Sequence, residues 1–148
     1  MNVEKLQLSD RVEWQALYKG YADFYKMPMN EDTLDSIWSW IVDERVEFHA
    51  IVVKDDRGKL VGFMHYRQMP SPIRGVMVGF LDDLYVHPDF RGSGTVQALF
   101  KALKSIAKER NWPFIRWITT TDNQRARAVY DKISSTIDFV TYQMPIEQ

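Results

Sequence analysis

Three features of the amino-acid order predict a mixed α/β fold, a mostly antiparallel sheet flanked by about four helices. Strand-like runs rich in Val, Ile, Phe and Tyr follow one another over residues 47–54, 59–69 and 76–86. Segments with helical apolar spacing lie before and after these runs. The resulting order is strand, two helices, three antiparallel strands, helix, strand, helix, strand, which places helices on the faces of one sheet. With 148 residues and 45% apolar content, the chain suits a single domain, 1–148, with one core of ordinary size.

Residues 2–8 alternate weakly through Val3, Leu6 and Leu8 and predict a first strand. Val12, Trp14, Leu17, Tyr18, Tyr21, Phe24 and Tyr25 follow a helix face, with Asp10 and Glu13 spaced as a capping box and Pro28 as a stop. Asn30 is placed to cap a second helix, in which Leu34, Ile37, Trp38, Ile41 and Val42 keep the i, i+3, i+4, i+7, i+8 pattern. Asp55-Asp56-Arg57-Gly58 turns the chain between the next two strands. Residues 76–86 then form a long apolar run broken only by Asp82-Asp83, a central strand closed by Pro88. Val96, Leu99, Phe100, Leu103, Ile106 and Ala107 make a third helical stripe. Residues 114–119 read as a strand, 123–133 as a helix and 137–144 as a final strand.

Nineteen basic residues against twenty acidic ones leave a formal net charge of -1, which gives no global field for a nucleic acid. No apolar run approaches the ~20 residues of a membrane helix, and the N-terminal stretch has no apolar signal core. The absence of cysteine removes disulfides, thiolate metal sites and a cysteine nucleophile, and fits a cytoplasmic setting. His49, His65 and His87 lack metal-ligand spacing and are expected to pack or lie at the surface, so no metal is expected.

The segment Val86-His87-Pro88-Asp89-Phe90-Arg91-Gly92-Ser93-Gly94-Thr95 leads from the central strand straight into a helix. A helix N-terminus offers unpaired N–H groups and a positive dipole end, glycines let the backbone approach a diphosphate, and Arg91 adds fixed charge. A dinucleotide fingerprint would need glycine at Gln97, and a P-loop would need Gly-Lys-Ser/Thr, which the chain lacks. A nucleophile elbow around Ser93 would need glycine at Arg91 and Thr95. What remains is Arg91-x-x-Gly94-x-Val96, preceded by Leu84-Tyr85-Val86-His87-Pro88 and followed by Asn123-x-x-Ala126-x-x-x-Tyr130.

This set resembles the signature of the GNAT N-acetyltransferase superfamily, whose acetyl-CoA motif is Gln/Arg-x-x-Gly-x-Gly/Ala. Val96 departs from it, and Ser134-Ser135 stands where a Gly-Phe pair is frequent. The resemblance implies acetyl-CoA as cosubstrate. Arg91, Gly92, Ser93, Gly94, Thr95 and Val96 would lie at the diphosphate, Leu84, Tyr85 and Val86 along the pantetheine arm, and Asn123 and Tyr130 also at the cofactor. It further implies Tyr130 as the acid that protonates the leaving sulfur, and Asp82, where polyamine acetyltransferases of the superfamily place a carboxylate, as base or ammonium anchor.

Adjacent strand residues face opposite sides, so Asp82 and Asp83 share a cleft only if the strand is bulged. Tyr21, Phe24 and Tyr25 sit where the superfamily builds its acceptor pocket, and aromatic faces there suit a cationic amine. The expected reaction is direct transfer of acetyl to a primary amine of a small molecule within a ternary complex, with a homodimer as in similar proteins. A protein lysine or N-terminal acetyltransferase, a non-catalytic acyl-CoA sensor and a bare interaction domain are the competing readings.

Overall fold

A computed structural model describes residues 1–147. The elements are β1 (Asn2–Lys5), α1 (Arg11–Phe24), α2 (Glu31–Val42), β2 (His49–Lys54), β3 (Leu60–Ser71), β4 (Val76–Val86), α3 (Thr95–Glu109), β5 (Ile115–Arg116) and α4 (Gln124–Ile133). Short 3-10 turns lie at Leu8–Asp10 and Pro88–Phe90. Backbone packing groups residues 1–117 in one unit and the residues from 118 onward in a second.

In the first unit the five strands lie in chain order, β1-β2-β3-β4-β5. The junctions from β1 to β4 are antiparallel, and β5 joins β4 in parallel after the α3 crossover. Alternation of side chains divides the core between the two faces. Ala50, Val52 and Phe63 face α1 and α2, joining Trp14, Leu17, Tyr18, Leu34, Ile37 and Trp38. Ile51, Val53 and Met64 face α3 and join Leu99, Leu103, Ala107 and Trp112. β2 and most of β3 are thus covered on both sides, the physical reason for their nearly unbroken apolar runs.

Several expected details are corrected. The first strand ends at Lys5, because the chain already turns at Leu8–Asp10, where the Gln7 N–H donates to Asp10 Oδ2 at 2.8 Å. Asp10 also pairs with Lys54 at 2.9 Å, and Glu13 accepts from the Leu60 N–H at 2.9 Å, so neither carboxylate makes the predicted capping box. α1 stops at Phe24, ahead of Pro28, where Tyr25 caps it and Lys26 takes a positive φ of 55°. Asn30 caps α2 as expected, accepting from Thr33 N–H at 2.9 Å.

β4 carries the irregularity that positions the site. His65 lies opposite Asp83 but Tyr66 lies opposite Leu81, so Asp82 is an extra residue on β4, a β-bulge. Beyond it, Asp83 and Tyr85 turn towards α1 while Leu84 and Val86 turn towards α3. β5 is shorter than expected, pairing only at Gly79↔Ile115 and Phe80↔Arg116. The β5-side edge of β4 from Leu81 to Val86 has no strand partner among the described residues.

Gly20 and Gly79 stand at the tightest approaches to a ring. Gly20, inside α1, lets the helix settle on Tyr85, whose hydroxyl lies 2.7 Å from where a Cβ would stand. Gly79 faces the Trp112 ring, 2.5 Å from the same imagined atom.

In the second unit, Asn123 caps α4, its Oδ1 accepting from Ala126 N–H at 3.4 Å. Ser134 closes the helix, its N–H and hydroxyl both donating to the Tyr130 carbonyl, at 2.9 and 2.6 Å. The predicted strand over 137–144 does not form among the described residues. Its alternating pattern finds no ladder to join, and Phe139, Val140, Tyr142 and Met144 are exposed.

Gly79→Ala tests the close packing on the α3 side. The new methyl meets a ring already tethered by Trp112 Nε1–H donating to Gln68 Oε1 at 2.8 Å, so the substitution should cost about 1–3 kcal/mol, read as a lowered midpoint in urea unfolding.

Candidate active site

The turn between β4 and α3 is built as its sequence suggested. Gly92 and Gly94 take positive φ of 78° and 85°, which a side chain would strain, and nothing lies within 4 Å of a Cβ at either place. The Ser93 hydroxyl donates to the Phe90 carbonyl and also lies 2.7 Å from Thr95 Oγ1, fixing the turn. Intrahelical bonding resumes at Ala98, whose N–H reaches the Gly94 carbonyl at 3.0 Å. The amides of Thr95, Val96 and Gln97 therefore precede the ladder at the positive end of α3. Thr95 is buried and Val96 packs into the α3-side core, so both can offer a ligand only backbone. Arg91 holds its guanidinium carbon 5.9 Å from the centre of the Tyr85 ring. An open, glycine-lined helix start with a cation beside it fits a diphosphate, and the partnerless edge of β4 offers N–H and C=O groups to an amide-bearing arm.

An aromatic column runs away from the turn on the α1 side. Tyr85 meets Tyr21 edge-on at 6.2 Å, Tyr21 lies 4.8 Å from Tyr25, and Tyr25 meets Phe24 at 5.0 Å. Sequence-predicted acceptor residues Tyr21, Phe24 and Tyr25 are thereby brought together with Tyr85.

Beneath this column lies a buried polar network. Asp83 Oδ2 accepts from Tyr18 Oη at 3.1 Å and lies 2.8 Å from His65 Nδ1, with Tyr21 near enough to act on the same carboxylate. Trp14 Nε1–H donates to His65 Nε2 at 3.0 Å. Indole nitrogen can only donate, so Nε2 must accept, and the ring proton sits on Nδ1 facing Asp83. Burial acts to raise the Asp83 pKa, but the donors of His65, Tyr21 and Tyr18 outweigh it, and the carboxyl titrates below its ordinary range. The same burial, and then the charge of Asp83, push both tyrosine hydroxyls well above theirs.

Asp82 is placed differently. Its Oδ2 accepts from Arg67 Nε at 3.1 Å, and the guanidinium also lies over the Phe80 ring at 4.9 Å. Burial raises its pKa, Arg67 opposes the shift, and the charge of Asp83 adds to it. The bulge turns both acids towards the α1 side of the sheet, where they repel one another.

A model of the acetyltransferase (GNAT) family matches residues 14–134. The chain belongs to the GNAT acetyltransferase family. Over 142 residues it is 28% identical to the D-amino-acid N-acetyltransferase HPA3 of Saccharomyces cerevisiae, covering 95% of this chain and 88% of that protein. Over 60 residues it is 33% identical to the thialysine N-epsilon-acetyltransferase of Caenorhabditis elegans, 40% of this chain and 35% of the relative. The solved structure of ribosomal-protein-alanine N-acetyltransferase from Brucella melitensis biovar Abortus 2308 superposes with a TM-score of 0.80 at 28% identity, covering 99% of this chain and 100% of that one. This chain is accordingly an acetyl-CoA-dependent N-acetyltransferase of GNAT type.

Within this GNAT fold, Asp82, Asp83, Tyr85, Arg91 and the glycine turn belong to the first unit with Tyr21, Phe24 and Tyr25. Asn123 and Tyr130 belong to the second, where Asn123 is engaged as the α4 cap. Sequence reasoning placed Trp14 and Tyr18 on an aromatic helix face without their polar partners, took His65 for a packing or surface residue, and missed Arg67. Strand alternation placed His65 and Arg67 on one face of β3, but their partners became visible only with the register of β4.

Asp83→Asn tests the network. A group with a depressed folded pKa contributes stability that is complete above its unfolded value, near ~4, and is lost as pH falls through the folded value. The variant should be less stable by about 1–3 kcal/mol at pH 7. Its deficit in urea unfolding should shrink below about pH 4, whereas a deficit constant from pH 7 to pH 3 would assign the loss to packing alone.

Proposed function

We propose that the chain transfers the acetyl group of acetyl-CoA to a primary amine of a small molecule, by direct attack in a ternary complex. The observation that carries this reading is the open turn at Arg91–Val96 beside the partnerless edge of β4. Acetyl-CoA supplies the acetyl group as an activated thioester. The turn amides and Arg91 would hold its diphosphate, and the backbone of Leu84, Tyr85 and Val86 would line its arm. An N–H of that edge near Tyr85 or Val86 would stabilise the oxygen charge that develops during acyl transfer.

At neutral pH only about one alkyl amine in a thousand is unprotonated, so the acceptor must lose a proton before it can attack. Asp82 takes that proton on a carboxylate oxygen, and the raised pKa from burial makes it a better acceptor than an exposed aspartate. Asp83 is already engaged by His65 and Tyr18 and serves to position that tyrosine. Tyr130, assigned from its motif on α4, returns a proton to the departing sulfur. The aromatic faces of Tyr21, Phe24 and Tyr25 receive the acceptor.

The named activity of the yeast relative, on D-amino acids, supports a small acceptor; that of the Brucella relative makes an alanine-terminated peptide the necessary comparison. A cytoplasmic place and a homodimer belong to the same reading.

Thiol release from acetyl-CoA across a panel of amines and one such peptide tests the proposal, and a flat response would end it. Asp82→Asn should lower kcat/KM by ~10²-fold at pH 7, with the loss diminishing towards pH ~10 as the free amine becomes abundant. Gly94→Val should abolish the thermal shift given by acetyl-CoA, because the side chain occupies the space before the turn amides; an undiminished shift would remove the turn from the cofactor site.

A further inference from the structure

We infer that Arg67 anchors the carboxylate of the acceptor, so that the site is matched to an α-amino acid and not to a simple amine or a polyamine. The inference rests on the acetyl-transfer reading and adds the acceptor's second functional group to it.

The argument begins with the faces of β3. Phe63 belongs to the α1–α2 core and His65 bonds Trp14 and Asp83 on that side, so Arg67, two residues on, projects from the same face. Its partner in the ladder, Phe80, provides the ring on which the guanidinium lies at 4.9 Å. That ring fixes the plane of the guanidinium, and the hydrogen bond from Nε to Asp82 Oδ2 at 3.1 Å fixes its rotation. A guanidinium carries five donors in a rigid fork, and only the Nε side is spent on Asp82. The Nη side projects from a side chain that is 44% exposed.

The charges on this face complete the case. Asp83 is 15% exposed and its Oδ2 is already engaged by His65 and Tyr18, so it is the less accessible of the two acids to an incoming ligand. What the face presents is one carboxylate, Asp82, and one guanidinium, Arg67, side by side. An α-amino acid carries the complementary pair, an ammonium and a carboxylate on one carbon. Its ammonium meets Asp82, which takes the proton, while its carboxylate meets the planar Nη edge in the bidentate manner that Arg favours. A polyamine would bring further positive charge to the same guanidinium, and a monoamine would leave it unused.

The test is steady-state thiol release by the full chain with acetyl-CoA and a matched acceptor set, alanine, alaninamide and ethylamine, with alanine in both enantiomers. Rates are corrected for the free-amine fraction of each acceptor. The parent protein should prefer one alanine enantiomer to alaninamide and ethylamine by ~10-fold or more in kcat/KM, as expected for a bidentate charge-assisted pair. In Arg67→Met that preference should collapse to near parity through a raised KM for alanine, and Arg67→Lys, which keeps the charge but loses the fork, should fall between. Equal use of alanine, its amide and ethylamine by the parent protein overturns the inference while leaving acetyl transfer intact. An equal loss on all three acceptors in Arg67→Met likewise overturns it, because Arg67 would then act only through Asp82. No release with any acceptor would overturn both readings. Should Arg67→Met fail to fold, as judged by its thermal melt, the parent protein's acceptor ratio and Arg67→Lys decide the matter.

Discussion

One extra residue in β4 governs the site. Without the bulge at Asp82, the alternation that puts Leu81 on the α3 side would continue unbroken and send Asp83 there as well. A carboxylate would then enter an apolar core among Leu99, Leu103 and Trp112, where no donor of the observed kind awaits it. The inserted position reverses the alternation once, so that Leu81 remains in one core while Asp83 and Tyr85 reach the other face. The same reversal sends Leu84 and Val86 into the α3 side, which anchors the strand just before the glycine turn.

The network that receives Asp83 makes that reversal tolerable. A buried carboxylate is costly unless it is hydrogen-bonded, and here a histidine and a tyrosine both engage its Oδ2. Trp14, with no capacity to accept, dictates which nitrogen of His65 holds the proton. The members come from three elements, Trp14 and Tyr18 from α1, His65 from β3 and Asp83 from β4, so the network also fixes how α1 lies on the sheet. Asp82, outside this set, keeps the Arg67 guanidinium as its hydrogen-bond partner, and burial raises its pKa.

The helices, the long hairpin and the β4-to-α3 turn were legible because each is encoded locally, by apolar spacing, by Asn30 as a cap, or by Gly92 and Gly94 where φ must be positive. The GNAT motif placed Asp82, Tyr85 and the turn on their elements. The bulge was not legible, since Asp82-Asp83 in one strand is compatible with either register and the pairing of His65 decides between them. The partners of Asp10 and Glu13 were hidden for a similar reason. Both lie at capping distance in sequence, yet Lys54 and the Leu60 amide, each more than forty residues away, outcompete the helix end. The segment 137–144 has the period of a strand, but a period states which side chains share a face and not whether a neighbouring backbone exists to bond.

Gly20 decides how closely α1 and β4 approach one another. In the middle of α1 it sacrifices ~1 kcal/mol of helix propensity relative to alanine, and in return the helix backbone rests almost on the phenol of Tyr85. With no methyl as a spacer, helix backbone and phenol are in direct contact, and any side chain at this position would drive them apart. Such a separation would uncover Tyr85 together with the ring of Tyr21 that meets it. The distance between α1 and β4 is thus set by the narrowest residue in the helix.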